Sequence, residues 1–280
     1  MTHHELPERL AGLVALSSGD SSVDALIRLT CERALALPPL LAPVDLADDR
    51  CEAKAVLAAF AEQFAIDVSG IGHNQRKRFL AAAGDNAVRI VVTIFIADFV
   101  PRVWAGCEAL DLGKPGFTSH VAWDLDTDPV DALLNGFVPA VARLHSLDSI
   151  TTEVVRLRGA AAHNCRLCQS LREAHALDAG GSEDMYRQIA DFETADALSD
   201  AHKAALRYVD ALIWSPSEIS PEVVEGMRRH FSGQQMFELT LDVMRNAANK
   251  IAVSLAADAA RVAGGTERYE VDEVGQAIFA

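Results

Sequence analysis

The sequence predicts an all-α protein, a helical bundle built from two related halves. Three observations lead to this fold class. Alanine is abundant and apolar residues recur at the period of a helix in most segments. Proline and glycine interrupt the chain between those segments. Two stretches 160 residues apart resemble each other weakly, and no series of alternating apolar and polar residues marks a set of strands.

Helical periodicity predicts helices over residues 52–66, 131–144 and 201–212, and a long alanine-rich helix over 236–262. The Ser220–Pro221 pair predicts a helix start, because serine caps helices and proline is favoured in the first turn. Residues 88–97 are rich in β-branched side chains and are compatible with a strand, but the surrounding sequence resembles that of a later helix.

The internal similarity aligns QRKRFLAAAGDNAVRIVVTIFIAD, residues 75–98, with QMFELTLDVMRNAANKIAVSLAAD, residues 235–258. It predicts an N-terminal half over 1–115 and a C-terminal half over 131–265, divided by a glycine- and aspartate-rich stretch. The C-terminal half contains a Cys-x-x-Cys motif that the N-terminal half lacks. We therefore expect the N-terminal half to keep the scaffold without the chemistry.

Composition and charge exclude several classes of protein. The 280 residues carry a net charge of −15, which argues against a nucleic-acid partner because phosphate binding needs a basic surface. The N-terminus lacks the features of a secretory signal, and the most apolar run, Ile90 to Ala97, is too short to span a bilayer. We expect a soluble cytoplasmic protein with no membrane partner. Cys31, Cys51 and Cys107 are predicted to be ordinary core or surface residues.

The stretch AAHNCRLCQSLREAH, residues 161–175, places Cys165 and Cys168 three residues apart. Asn164 is predicted to cap a helix that contains both cysteines and continues to about residue 177. The free N–H groups at a helix start favour a thiolate, and Arg166 and Arg172 add positive charge nearby. The spacing also lets the two sulfurs form a disulfide, so the pair indicates redox chemistry.

A second predicted helix, over about 150–162, precedes the cysteines. If the chain reverses near 162–164, Glu153 and Arg172 are equidistant from the turn and form a charged pair beside the thiols. If the helix is continuous instead, Glu153 lies about 18 Å from Cys165, at about 1.5 Å per residue, and cannot assist the thiols directly.

Other interpretations of these residues remain open. Cys165 and Cys168 are also compatible with two small core residues. Together with His163 or His175 they offer part of a zinc site, but a structural zinc needs four ligands and no second pair is present. No metal or cofactor is therefore predicted. Arg156 is expected to make ordinary ion pairs. Three further polar residues are expected to form a solvated or interhelical stripe on one long helix: Asn246, Lys250 and Asp258.

Glu153, then Cys165 twelve residues later, then Cys168 resemble the E-x11-C-x2-C core of the carboxymuconolactone decarboxylase superfamily, in its alkylhydroperoxidase D-like branch. The resemblance is strongest over about 131–180 and extends weakly to about 262. It implies an all-helical homo-oligomer whose dithiol reduces hydroperoxides. By the same resemblance Cys168 attacks the peroxide, Cys165 resolves the product, and Glu153 serves a proton relay. An external dithiol or protein reductant then regenerates the pair.

The family motif has histidine four residues after the second cysteine, where this sequence has Arg172. Arginine cannot shuttle protons at neutral pH, although it can hold Glu153 and stabilise a thiolate. His163 and His175 are candidate substitutes for the missing histidine. Two alternative functions are a protein disulfide reductase and a non-catalytic helical oligomer that retains the motif as a relic.

Overall fold

The computed structural model describes residues 5–44 and 51–279. The predicted N-terminal half therefore includes two short stretches, 1–4 and 45–50, that lie outside the described residues. Helices account for 64% of the structure and strands for 5%, which confirms the all-α prediction. In the first half the helices are α1 (Glu5–Ala15), α2 (Ser21–Leu35), α3 (Glu52–Asp67), α4 (His73–Ala83) and α5 (Ala87–Ala109).

The second half contains more and shorter helices. They are α6 (Pro129–Asp131), α7 (Val138–Ala142), α8 (Ser149–Ala162), α9 (Arg166–Gln169), α10 (Ala174–Asp178), α11 (Glu183–Arg187), α12 (Asp200–Trp214), α13 (Pro221–His230), α14 (Gly233–Ala247) and α15 (Lys250–Ser254). A π-helical stretch, Ala132–Phe137, joins α6 to α7. The predicted helices over 52–66, 150–162 and 201–212 are confirmed as α3, α8 and α12.

Side-chain caps fix where several of these helices begin. Ser220 accepts a hydrogen bond from the N–H of Val223, and Pro221 follows it as the first residue of α13, as predicted. Ser199 and Ser232 begin α12 and α14 with reciprocal capping boxes. Local sequence therefore determines where α12, α13 and α14 begin.

Helix α5 is the centre of the core. Its 23 residues include the 88–97 segment, so the helical alternative is correct there. The helical run 73–109 is long and apolar enough to cross a bilayer by length and composition, contrary to the expectation drawn from its shorter apolar run. However, 89% of its most apolar window is buried, as expected for the core helix of a soluble protein. The structure is compatible with a soluble protein.

The larger of two hydrophobic clusters extends through both predicted halves, from α1 to α15, and a smaller one lies within the second half. α5 packs against α2 and α3 on one side and against α12, α14 and α15 on the other. Buried charges also join the halves: Lys250 Nζ lies 2.5 Å from Asp98 Oδ2, and Arg102 Nη1 donates to the carbonyl of Leu212 at 3.0 Å. The duplication itself stays a prediction.

The single helix predicted over 236–262 is wrong. α14 ends at Ala247, α15 is a separate helix, and Ala256 has a left-handed backbone with φ of 57°. Asp258 lies beyond both helices, so it shares no helical stripe with Asn246 and Lys250. Lys250 is buried and pairs with Asp98 of α5, so for this residue the interhelical alternative is correct and the solvated one is not.

A small sheet was not predicted. Strand β1 (Leu171–Glu173) pairs in parallel with β2 (Glu267–Val271), which pairs antiparallel with β3 (Ala277–Phe279). In β1, Arg172 is opposite Arg268 and Glu173 is opposite Tyr269. The predicted helix from Cys165 to about 177 is therefore wrong, because this strand separates α9 from α10.

Candidate active site

The two cysteines form a disulfide at the start of α9, with their Cα atoms 5.3 Å apart. Cys165 itself caps the helix, since its sulfur accepts a hydrogen bond from the N–H of Cys168 at 3.2 Å. Asn164 is not the cap, contrary to the prediction. It follows the C-terminus of α8 with φ of 51°, a left-handed conformation that asparagine tolerates better than most residues.

Asp258 anchors the residues between the two cysteines. Its carboxylate accepts hydrogen bonds from the backbone N–H of Arg166 at 3.0 Å and from the Arg166 side chain at 2.7 Å and 3.1 Å. Its carbonyl accepts from the N–H of Leu167 at 2.9 Å. The hydrogen bonds from Arg166 lower the pKa of Asp258, so this carboxylate is ionised at neutral pH. The dithiol is thus held from the segment that follows α15.

Glu153 projects from α8 and is 1% exposed. It pairs with Arg156 one turn along the same helix, with Oε2 2.6 Å from Nε and Oε1 2.8 Å from Nη2. The N–H of Glu173 also donates to Oε1, at 3.2 Å. The predicted Glu153–Arg172 pair is therefore wrong, because β1 carries Arg172 away from this carboxylate.

Arg156 joins Glu153 to the dithiol segment. Its Nη1 donates to the carbonyl of Cys168 at 2.8 Å, and its Nη2 donates to that of Leu171 at 2.7 Å. Burial by itself lowers the pKa of Arg156, but Tyr269 and Glu153 more than offset this and raise it. Sequence reasoning missed this role, although the i,i+3 spacing of Glu153 and Arg156 was the available signal.

Arg172 points to the other face of the sheet. Its Nε lies 2.8 Å from Glu183 Oε1, and its guanidinium stacks over Tyr186 at 5.6 Å from the ring centre. Side chains alternate along a strand, so Leu171 and Glu173 face one way and Arg172 the other. In a helix Arg172 would have followed Cys168 by one turn and remained near it.

The two candidate histidines lie in different environments. His163 is buried with its ring against Phe99. Burial, with Lys250 and Arg102 nearby, holds its pKa well below the usual value, so it is neutral. His175 is largely exposed and hydrogen-bonds to Glu173 at 2.8 Å, which raises its pKa. His163 thus belongs to the buried polar cluster around Asp98, whereas His175 lies at the rim of a cavity.

Two neighbouring cavities flank the Glu153–Arg156 pair. One, of about 470 Å³, is lined by Cys168 and mainly by apolar side chains from α9, α14, α15 and the sheet. The other, of about 320 Å³, is the more polar of the two and is lined by Glu153, Glu173, His175 and Asp242 among others. Three ionisable side chains line both cavities: Arg156, Arg245 and Tyr269. We call these the Cys168 cavity and the polar cavity.

Asp242 gives the polar cavity a second buried carboxyl group, in addition to that of Glu153. It is 3% exposed and lies 3.0 Å from Arg245 Nε. Burial, together with the nearby Glu238, raises its pKa to about 6 against the opposing effect of Arg245. Throughout residues 5–44 and 51–279, no group of three or more His, Cys, Asp or Glu side chains is arranged to hold a metal ion.

Two uncharacterized proteins of Mycobacterium tuberculosis resemble this chain along nearly its whole length. MT2376 of strain CDC 1551 / Oshkosh and Rv2313c of strain ATCC 25618 / H37Rv are each 52% identical to it over 273 residues, which is 96% of either sequence. The uncharacterized protein YnjA of Escherichia coli K12 is 28% identical over 109 residues, 39% of this chain and 60% of YnjA. No family model matches the sequence. No solved structure matches it either. The chain belongs to the same protein family as MT2376 and Rv2313c.

Proposed function

We propose that this protein is a thiol-dependent hydroperoxide reductase that cycles Cys165 and Cys168 between dithiol and disulfide. The observation that carries the proposal is the position of Cys168, which lines an apolar cavity while bonded to Cys165. The resemblance of Glu153, Cys165 and Cys168 to the alkylhydroperoxidase D-like motif supports it. The same resemblance supports a homo-oligomer, and the net charge of −15 and the sequence of the N-terminus support a cytoplasmic protein without nucleic-acid or membrane partners.

In the first step the Cys168 thiolate attacks the distal oxygen of the hydroperoxide. The O–O bond breaks, Cys168 becomes a sulfenic acid, and the rest of the peroxide leaves as an alkoxide, which takes up a proton to become the alcohol. Cys165 then attacks the Cys168 sulfur, which forms the disulfide and releases water. An external dithiol, or a protein that presents one, reduces the disulfide and is itself oxidised.

Glu153 and Arg156 prepare Cys168 for this attack. The guanidinium of Arg156 holds positive charge at the Cys168 end of α9 and favours the thiolate. Glu153 keeps that guanidinium in place and faces the polar cavity. It receives the thiol proton by way of water in that cavity.

Burial of the disulfide favours a small substrate over a folded one. Cys165 is 1% exposed and Cys168 4%, so a small molecule that enters the Cys168 cavity reaches Cys168 more readily than a disulfide on the surface of another protein does. A small hydroperoxide enters through the Cys168 cavity instead. This is why we propose peroxide reduction rather than protein disulfide reduction.

The test is peroxide consumption by the reduced protein with a dithiol donor. We expect Cys168→Ser to abolish consumption, and Cys165→Ser to accumulate a sulfenic acid on Cys168 that dimedone traps. Cys51→Ser is the matched control, because Cys51 is an exposed free thiol distant in sequence from the pair. Unchanged consumption in both active-site variants would refute the proposal.

A further inference from the structure

The proposed reduction leaves one proton unassigned. When the thiolate attacks, the departing alkoxide is a strong base and needs an acid beside it. Glu153 and His175 line the polar cavity, and His163 and Arg172 belong to other clusters. None of these four supplies a proton within the Cys168 cavity itself.

The lining of the Cys168 cavity narrows the choice of acid. Among the described residues that line it, four side chains are ionisable: Arg156, Cys168, Arg245 and Tyr269. Arginine does not give up its proton at any physiological pH, and Cys168 is the nucleophile. Tyr269 is the one that remains.

The small sheet places Tyr269 between the two cavities. It lies opposite Glu173 on the central strand, on the face that Leu171 and Glu173 share, and it is 8% exposed. The Arg156 guanidinium lies 5.6 Å from the centre of its ring. The phenol is therefore next to the same arginine that contacts the Cys168 carbonyl and the Glu153 carboxylate.

We propose that Tyr269 is the catalytic acid that protonates the alkoxide leaving from the hydroperoxide, an inference that rests on the proposed peroxide reduction. As the S–O bond forms and the O–O bond breaks, the phenol O–H proton passes to the leaving oxygen, which becomes the alcohol hydroxyl. The phenolate then regains a proton from Glu153 through the polar cavity. That proton is the one Cys168 lost, so the step consumes none from solution.

The surroundings of Tyr269 suit both the protonated phenol and the phenolate that forms when it donates its proton. Burial is the main cause that raises its pKa, and Glu153 and Glu173 act in the same direction, so the phenol carries its proton at neutral pH. Arg156 and Arg245 act in the opposite direction because they stabilise the phenolate that forms during the step.

Two classes of peroxide can distinguish whether Tyr269 acts as an acid or only supports the structure. A tert-butyl hydroperoxide releases a basic alkoxide, whereas a peroxy acid such as 3-chloroperbenzoic acid releases a carboxylate that needs no proton. We expect Tyr269→Phe to slow thiol oxidation in single turnover by about 100-fold with the alkyl hydroperoxide and by less than about threefold with the peroxy acid. The iodoacetamide alkylation rate of reduced Cys168 stays unchanged, since the thiolate is not altered.

Tyr186→Phe is the matched control. Tyr186 is also buried, and its hydroxyl makes no hydrogen bond among the described residues, so we expect wild-type rates with both peroxides. Equal losses with both peroxides in Tyr269→Phe, or no loss with either, would overturn the role of Tyr269 while leaving the proposed function intact. A wild-type dithiol that neither peroxide oxidises would overturn the proposed function and this inference together.

Discussion

At the scale of single residues, the Glu153–Arg156 pair decides whether the site holds its shape. Arg156 makes two hydrogen bonds to Glu153 and two to carbonyls of the dithiol segment, and both side chains are almost wholly buried. Both side chains line the polar cavity, but protein replaces most of the solvent around them, so water compensates only in part for a lost partner. The pair therefore differs in kind from exposed pairs such as Arg229–Glu225.

We expect Glu153→Gln to lower the free energy of unfolding by about 3–5 kcal/mol, because it leaves Arg156 charged and unpaired in the interior. Urea unfolding of the oxidised protein measures this. Glu183→Gln is the matched control, since it removes the carboxylate partner of Arg172 at a half-exposed position and should cost less than about 1 kcal/mol. Equal losses in the two variants would contradict the special role of the buried pair.

Asp242 makes the stability of the protein depend on pH. Its pKa is about 6 when folded, against 3.8 for an unperturbed carboxyl group, so the folded state binds this proton more tightly. The resulting stabilisation is complete below pH 3.8 and is lost as pH rises to about 6, a loss of about 3 kcal/mol.

Asp242→Asn removes this titration. Because other groups titrate in both proteins, the informative quantity is the difference in unfolding free energy between wild type and variant, measured from pH 3.5 to pH 7. As pH rises from 3.5 to 7, we expect the unfolding free energy of the wild type to fall by about 3 kcal/mol relative to that of the variant. If the unfolding free energies of wild type and variant changed in parallel with pH, Asp242 would have the same pKa in the folded and unfolded states.

At the scale of elements, the segment after Cys168 shows what the sequence could and could not predict. The motif spacing predicted that Cys165 and Cys168 could form a disulfide, and the helical period predicted α8; both are present in the structure. The same local pattern predicted a helix through Arg172. The structure instead pairs β1 with β2, almost one hundred residues later in the chain. A parallel partner so distant leaves no local signal, so the strand was missed and Arg172 was wrongly placed opposite Glu153. The true partner, Arg156, did have a local signal in its i,i+3 spacing from Glu153.

The turn between β2 and β3 closes the Cys168 cavity. Gly275 and the two residues after it line that cavity. Gly275 has φ of +88°, and a Cβ there would lie 2.1 Å from the carbonyl oxygen of Pro139 in α7. The turn can approach α7 this closely only without a side chain at this position.

We expect Gly275→Ala to push this turn away from α7 and open the cavity, so that iodoacetamide alkylates reduced Cys168 faster than in wild type. Gly265→Ala is the matched control: its φ is +76°, but a Cβ there meets no atom within 4 Å. Both variants carry a backbone strain of about 1–3 kcal/mol, but only Gly275→Ala should change the alkylation rate. Equal alkylation rates would mean that the turn does not guard the cavity.

At the scale of the whole molecule, the two predicted halves share one core. Arg102, from the first half, donates hydrogen bonds to the carbonyls of Leu212 and Ile213 in the second. Asp98 pairs with Lys250 across the same boundary, with both side chains buried. Sequence similarity between halves indicates common origin, whereas these contacts determine which parts can fold separately. Helix α5 lies in the first half of the sequence, but it packs against helices of both halves.

The chain should therefore unfold in a single cooperative transition. We expect the calorimetric and van 't Hoff enthalpies to agree. A fragment of residues 129–279 lacks α5, so it exposes the apolar faces of α12, α14 and α15 and leaves Lys250 without Asp98. It should show no native near-ultraviolet circular dichroism alone and should regain it when mixed with residues 1–115, because the pair restores the core. A fragment that folds cooperatively by itself would show that the second half is an independent unit.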